Sequence, residues 1–180
     1  MRGFTLIELM VSTAILAIIL SAGVPAMGRI LESHHSTTYL EYLRSTLMSG
    51  RIIALNNGQD TIVCPLLNKQ CVDDWTQPLA IFVDTNSNLT LESNETLHLK
   101  VSNEVIYGYW QKKRSTMKYI KFSPQGHAFG SATTFLYCPS SGKDTFAKQL
   151  VINFQGRIRT NSYLNSKGTP YANVSPLNCL

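Results

Sequence analysis

Met1-Arg2-Gly3-Phe4-Thr5-Leu6-Ile7-Glu8-Leu9-Met10-Val11 places one cation, Arg2, before a Gly-Phe junction and one carboxylate, Glu8, at the head of a long apolar run. From Leu9 to Gly28 no residue is charged. At ~1.5 Å per helical residue such a run covers roughly 30 Å, the depth of a bilayer's hydrocarbon core. The pattern predicts a single-pass membrane or assembly helix over residues 4–28. A carboxylate at the edge of lipid is costly unless paired, so Glu8 demands a partner. A secretory signal would use Arg2 as its basic region, with cleavage near Val24-Pro25-Ala26, but it has no use for Glu8. A plain anchor explains the hydrophobicity and leaves the Gly-Phe-x-x-x-Glu register unexplained.

Helical character continues beyond the apolar run. Pro25 is expected to kink the helix. Leu40, Leu43, Leu47 and Ala54 recur at three-, four- and seven-residue steps, so an amphipathic continuation over 29–56 turns one stripe to a core. Arg44 and Arg51 fall off that stripe and are expected to face water. Asn56-Asn57-Gly58 carries the chemistry of a helix stop. Beyond it, Thr61–Cys64, Leu79–Asp84, Leu97–Val101, Val105–Trp110, Tyr119–Phe122, Thr133–Cys138, Gln149–Phe154 and Arg157–Thr160 read as short strands, separated by Gly, Pro, Asn and Ser clusters. The fold class is therefore α+β. A long N-terminal helix packs on a domain over 57–180, built of two small antiparallel sheets, one resting on the helix stripe.

Charge is divided unevenly along the chain. Residues 1–111 hold six Lys/Arg against ten Asp/Glu, a net of −4, whereas residues 112–180 hold ten against Asp144 alone, a net of +9. Such a split suggests an anionic partner for the C-terminal half. Four cysteines, Cys64, Cys71, Cys138 and Cys179, lie downstream of the apolar helix, which fits an oxidising compartment. Of the three possible pairings, Cys64–Cys71 with Cys138–Cys179 is preferred, since the first closes a short loop and the second pins the tail. Zinc is the alternative, but no Cys-x-x-Cys occurs and the histidines do not flank the cysteines.

Gly3-Phe4-Thr5-Leu6-Ile7-Glu8 resembles the prepilin motif of type IV pilins and type II secretion pseudopilins. Two later segments are similar to the FimT/GspH family of minor pilins and pseudopilins: Ile120-Lys121-Phe122-Ser123-Pro124-Gln125-Gly126, and Leu150-Val151-Ile152-Asn153-Phe154-Gln155-Gly156-Arg157-Ile158-Arg159. Residues 57–115 match only in general character. The resemblance implies a pilin-like fold, a leader over residues 1–3, cleavage between Gly3 and Phe4 by prepilin peptidase, and methylation of Phe4. The new amine of one subunit would meet Glu8 of its neighbour in a water-poor filament core. Other major and minor pilins become partners, with the inner membrane as residence before assembly, the globular domain in the periplasm, and a pilus as destination.

Within that family a Gly-Arg-x-Arg ending is associated with DNA capture in natural transformation, a role the resemblance places on Arg157 and Arg159. In a strand, residues two apart point the same way, so both arginines project from one face while Ile158 packs behind. Parallel guanidinium groups suit phosphates. Lys112, Lys113, Arg114, Lys118 and Lys121 extend a phosphate track, and Trp110 and Tyr119 are placed to stack on bases. The competing readings are solvated strand arginines, a structural subunit that primes assembly, and a pseudopilin in type II secretion. Nothing resembles a groove-reading helix, so DNA contact would be independent of sequence. Asp84-Thr85-Asn86-Ser87-Asn88 with Thr90, Glu92 and Glu95 superficially fits a calcium loop, but Leu89 stands where the turn wants glycine, and a polar hairpin tip is the simpler reading. No nucleophile–base spacing or Gly-rich phosphate loop is present, so neither catalysis nor a cofactor is implied.

Overall fold

The structure, a computed structural model, describes residues 5–103, 105, 107–113, 116–142, 146–161, 171–172, 175–176 and 179. One helix, α1 (Leu6–Asn57), occupies the first third of the chain. Thr5 caps its start, and Gly58, left-handed at φ 64°, ends it where the Asn-Asn-Gly turn was expected. Pro25 does not end the helix. Among the described residues no helix is long and apolar enough to cross a membrane. The expectation of a single-pass span therefore rests on the sequence.

The strands follow as β1 (Thr61–Leu67), β2 (Gln70–Cys71), β3 (Leu79–Val83), β4 (Leu97–Val101), β5 (Gly108–Lys113), β6 (Ile120–Phe122), β7 (Thr133–Pro139), β8 (Lys148–Ile152) and β9 (Ile158–Asn161). A short hairpin, β10 (Tyr171–Ala172) and β11 (Ser175–Pro176), stands apart. The first sheet runs β2-β1-β3-β4, with β6 pairing the front half of β1. The second runs β5-β7-β8-β9, and all pairings in both are antiparallel.

The helix stripe is buried as its spacing demands: Leu43, Leu47 and Ala54 are fully enclosed and Leu40 nearly so. Val63, Leu79, Ile81, Ile120 and Phe122 from the first sheet meet that stripe, and so do Phe135, Leu150, Ile152 and Ile158 from the second. Both sheets thus rest on α1, where the sequence suggested one. The reason is visible in β7 and β8, whose alternate residues turn a large apolar set inward alongside that of β1 and β3. Gly50 marks the closest approach, since a Cβ there would lie 2.3 Å from Val63 Cγ2.

The outer face of the first sheet carries a second cluster of Ile62, Cys64, Leu66, Cys71, Ala80 and Phe82, with Leu89, Leu91 and Tyr119 packed on it. The segment after Asp84 is accordingly no dangling hairpin tip but a cover for that face. The Asp84 carboxylate accepts from Asn88 and Leu89 N–H, and Glu92 and Glu95 accept from the same loop. Among the described residues no group of three or more His, Cys, Asp or Glu is placed to hold a metal ion. Both disulfides of the preferred pairing are formed, Cys64–Cys71 and Cys138–Cys179. The second pins the tail over Leu136 and Ala147 on the outer face of the second sheet.

Candidate functional site

The Arg157 region is built from two turns of the same design. In Ser123-Pro124-Gln125-Gly126-His127, Gly126 N–H donates to Ser123 O, Ser123 N–H to His127 O, and the Ser123 hydroxyl accepts from His127 N–H. In Asn153-Phe154-Gln155-Gly156-Arg157, Gly156 N–H donates to Asn153 O, Asn153 N–H to Arg157 O, and Asn153 Oδ1 accepts from Arg157 N–H at 2.9 Å. Gly126 and Gly156 both have positive φ, 75° and 71°, conformations that side chains resist. The turns stack so tightly that a Cβ on Gly156 would fall 1.9 Å from Gly126 O.

Arg51 of α1 holds this pair. Its Nε donates to Gly126 O at 2.9 Å and its guanidinium reaches Gln155 O at 3.5 Å. The sequence assigned Arg51 to solvent; it is half-buried instead, because two turn carbonyls left unpaired by the left-handed glycines need a donor. The signal was available only as an arginine within reach of the stripe, with nothing to mark its partners.

Arg157 and Arg159 are exposed and Ile158 is buried between them. Strand register then extends the face. Arg159 pairs Val151, Val151 pairs Thr134, and Thr134 pairs Lys113, so all four lie on one transverse row with side chains to the same, helix-distal face. Three interstrand steps put Lys113 and Arg159 about 14 Å apart at the backbone. Among the described residues no salt bridge engages Lys113, Arg157 or Arg159.

Lys112 takes the opposite face. Its ammonium, nearly enclosed, pairs with Asp73 and donates to Met117 O. Lys121 pairs with Asp60 at 2.5 Å on the first sheet. Lys118 is exposed, while Arg114 lies outside the described residues. Three further lysines belong to the basic C-terminal half: Lys148 sits on the inward-facing row of β8, and Lys143 and Lys167 lie outside the described residues. Trp110 and Tyr119 are not displayed for stacking. Trp110 sets its ring edge against Phe135 and Tyr137 in the core, and Tyr119 packs on the second cluster.

At the other end of the chain, Gly3 and Phe4 lie outside the described residues. Glu8 does have a partner within the chain: its carboxylate accepts from Thr5 N–H at 3.2 Å while Thr5 Oγ1 accepts from Glu8 N–H at 3.3 Å, a reciprocal capping box. The sequence signal for this cap is Thr-x-x-Glu ahead of an apolar run.

A helix of this length, started by a Thr5–Glu8 capping box and carrying two antiparallel sheets on its C-terminal half, defines a pilin-like subunit. Residues 1–24 match the prokaryotic N-terminal methylation motif, and residues 40–156 match the type II transport protein GspH family. The chain belongs to the GspH family of minor pilins and pseudopilins, subunits of type IV pili or type II secretion. The fold is similar to that of the type IV minor pilin FimU of Pseudomonas aeruginosa PAO1. One crystal form matches with TM-score 0.58 and 18% identity, covering 84% of this chain and 99% of that one. A second crystal form matches with TM-score 0.54 and 19% identity, over 80% and 99%. No curated protein sequence matches the chain significantly.

Proposed function

We propose that this chain is a non-enzymatic, FimT-type minor pilin that binds extracellular DNA for uptake through the outer face of its second sheet. Prepilin peptidase cuts between Gly3 and Phe4, Phe4 is methylated, and residues 4–28 hold the subunit in the inner membrane before it joins the pilus. There the Glu8 carboxylate exchanges its own Thr5 N–H for the cationic terminus of a neighbour. Residues 29–56 carry the globular domain over 57–180.

The observation that supports DNA binding is the shared face of Arg157, Arg159 and Lys113. The turn that carries Arg157 is held by Arg51, some 45 residues along α1 and hence about 65–70 Å from the start of the helix. A phosphate backbone approaching the domain from outside would meet these cations first. Lys118 adds a fourth charge, whereas Lys112 and Lys121 are spent on carboxylates. Full-length protein in non-ionic detergent, titrated against duplex DNA, tests this. With about four phosphate contacts the log–log salt slope is near −3.6, and replacing Arg157 and Arg159 by glutamine brings it close to −1.8. An unchanged affinity and slope in that variant would remove the assigned face.

The second reading is a structural GspH-like pseudopilin in type II secretion without a nucleic-acid ligand. It is favoured by the span of the family match, which stops at Gly156 and leaves both arginines outside it.

A further inference from the structure

We propose, resting on the DNA-binding reading above, that the Arg157 turn takes unpaired bases as well as phosphates, so that the preferred ligand is single-stranded DNA or a frayed duplex end. The residues are Phe154 and Phe129. Phe154 occupies the second position of the turn that presents Arg157 and is 62% exposed; Phe129 is 64% exposed. The two segments are joined by a hydrogen bond from Ala128 N–H to Phe154 O at 3.0 Å, and the His127 ring lies 4.9 Å from that of Phe129. Isolated exposed apolar residues are ordinary, but here two exposed phenylalanines sit on hydrogen-bonded segments, one of them the turn that also carries the arginine.

Charge selects the occupant. From residue 115 to residue 161 the sequence holds a single acidic residue, Asp144, against Lys118, Lys121, Lys143, Lys148, Arg157 and Arg159. An aromatic tip beside Arg157, in a stretch this rich in cations, matches a strand that offers π-faces and phosphates in alternation. A closed duplex offers the phosphates alone. Trp110 and Tyr119 are committed to the interior, whereas Phe129 and Phe154 are exposed on the two bonded segments at the Arg157 turn.

The experiment compares an oligothymidylate with a closed-end duplex of equal phosphate number, binding full-length protein in non-ionic detergent at one salt concentration. The wild type is expected to bind the oligothymidylate at least about fivefold tighter. Phe129→Ala with Phe154→Ala should erase that preference and leave duplex affinity unchanged, and Phe154→Leu, which keeps apolar bulk, should weaken only the single strand. Equal affinity of the wild type for both ligands would overturn the inference while leaving the proposed function standing. So would a double alanine variant that keeps the preference, or one that binds both ligands normally but no longer enters filaments. Binding to neither ligand would overturn the proposed function itself.

Discussion

Gly156 is the residue on which the geometry of the arginine pair depends. A left-handed residue other than glycine costs about 1–3 kcal/mol, and a methyl group here also meets the Gly126 carbonyl. Gly156→Ala is therefore expected to lower stability by at least about 2 kcal/mol in denaturant titration, and to weaken DNA binding although both arginines remain. Arg51→Met tests the same joint from the helix side, because it leaves two turn carbonyls short of a donor. A loss of about 1–3 kcal/mol is expected, with the turn around Gly126 and Gly156 losing amide-exchange protection first. Tyr137 supplies a pH signature. Burial first, then the neighbouring Tyr39 and Glu32, push its hydroxyl up from an ordinary 10 to about 12. The folded state holds that proton more tightly than the unfolded chain, so its contribution is whole below pH 10 and is lost as pH rises through about 12. Tyr137→Phe, which forfeits the hydrogen bond to Tyr107 O, should be less stable at neutral pH yet show a flatter decline across that alkaline window.

At the scale of elements, the helix stripe and the strands differ in how openly the sequence displays them. Leu40, Leu43, Leu47 and Ala54 were legible because a 3.6-residue period leaves few alternatives. Leu47→Ala should cost about 2–5 kcal/mol in thermal or chemical denaturation, since both sheets close on that stripe. The eight expected strands all exist, but the fourth of them, β5, begins at Gly108 rather than Val105. Tyr137 claims the Tyr107 carbonyl, and Gly108 fits beneath Cys138 O, where no side chain would. That shift changes the meaning of Lys112-Lys113. Taken as a turn, the run reads as one cluster; as the end of β5 it alternates, sending Lys112 inward to Asp73 and Lys113 outward to the row of Arg159. Arg157 and Arg159 were legible because Ile158 between them had to be buried. Phe129 and Phe154 were not, because nothing in a local pattern separates a phenylalanine at a turn tip from one at a strand end.

For the whole molecule, the two disulfides close loops of very different size, with sequence separations of 7 and 41. On the chain-entropy model the larger loop contributes about 4 kcal/mol and the smaller about 2. Cys138→Ser with Cys179→Ser should therefore lower the melting temperature more than Cys64→Ser with Cys71→Ser. The former pair also releases the tail from the sheet that carries the arginines.

The molecule carries its cationic face at the far end of a long helix from the apolar start, and that arrangement matters only if the face works from a pilus. The most direct measurement is the transformation frequency of the native host carrying Arg157→Gln and Arg159→Gln at the chromosomal locus, with pilus number counted in the same cells. The account predicts normal pili and DNA uptake reduced at least about tenfold, the consequence of losing two phosphate contacts. Uptake at the wild-type level, from cells that display the variant on normal pili, would contradict it.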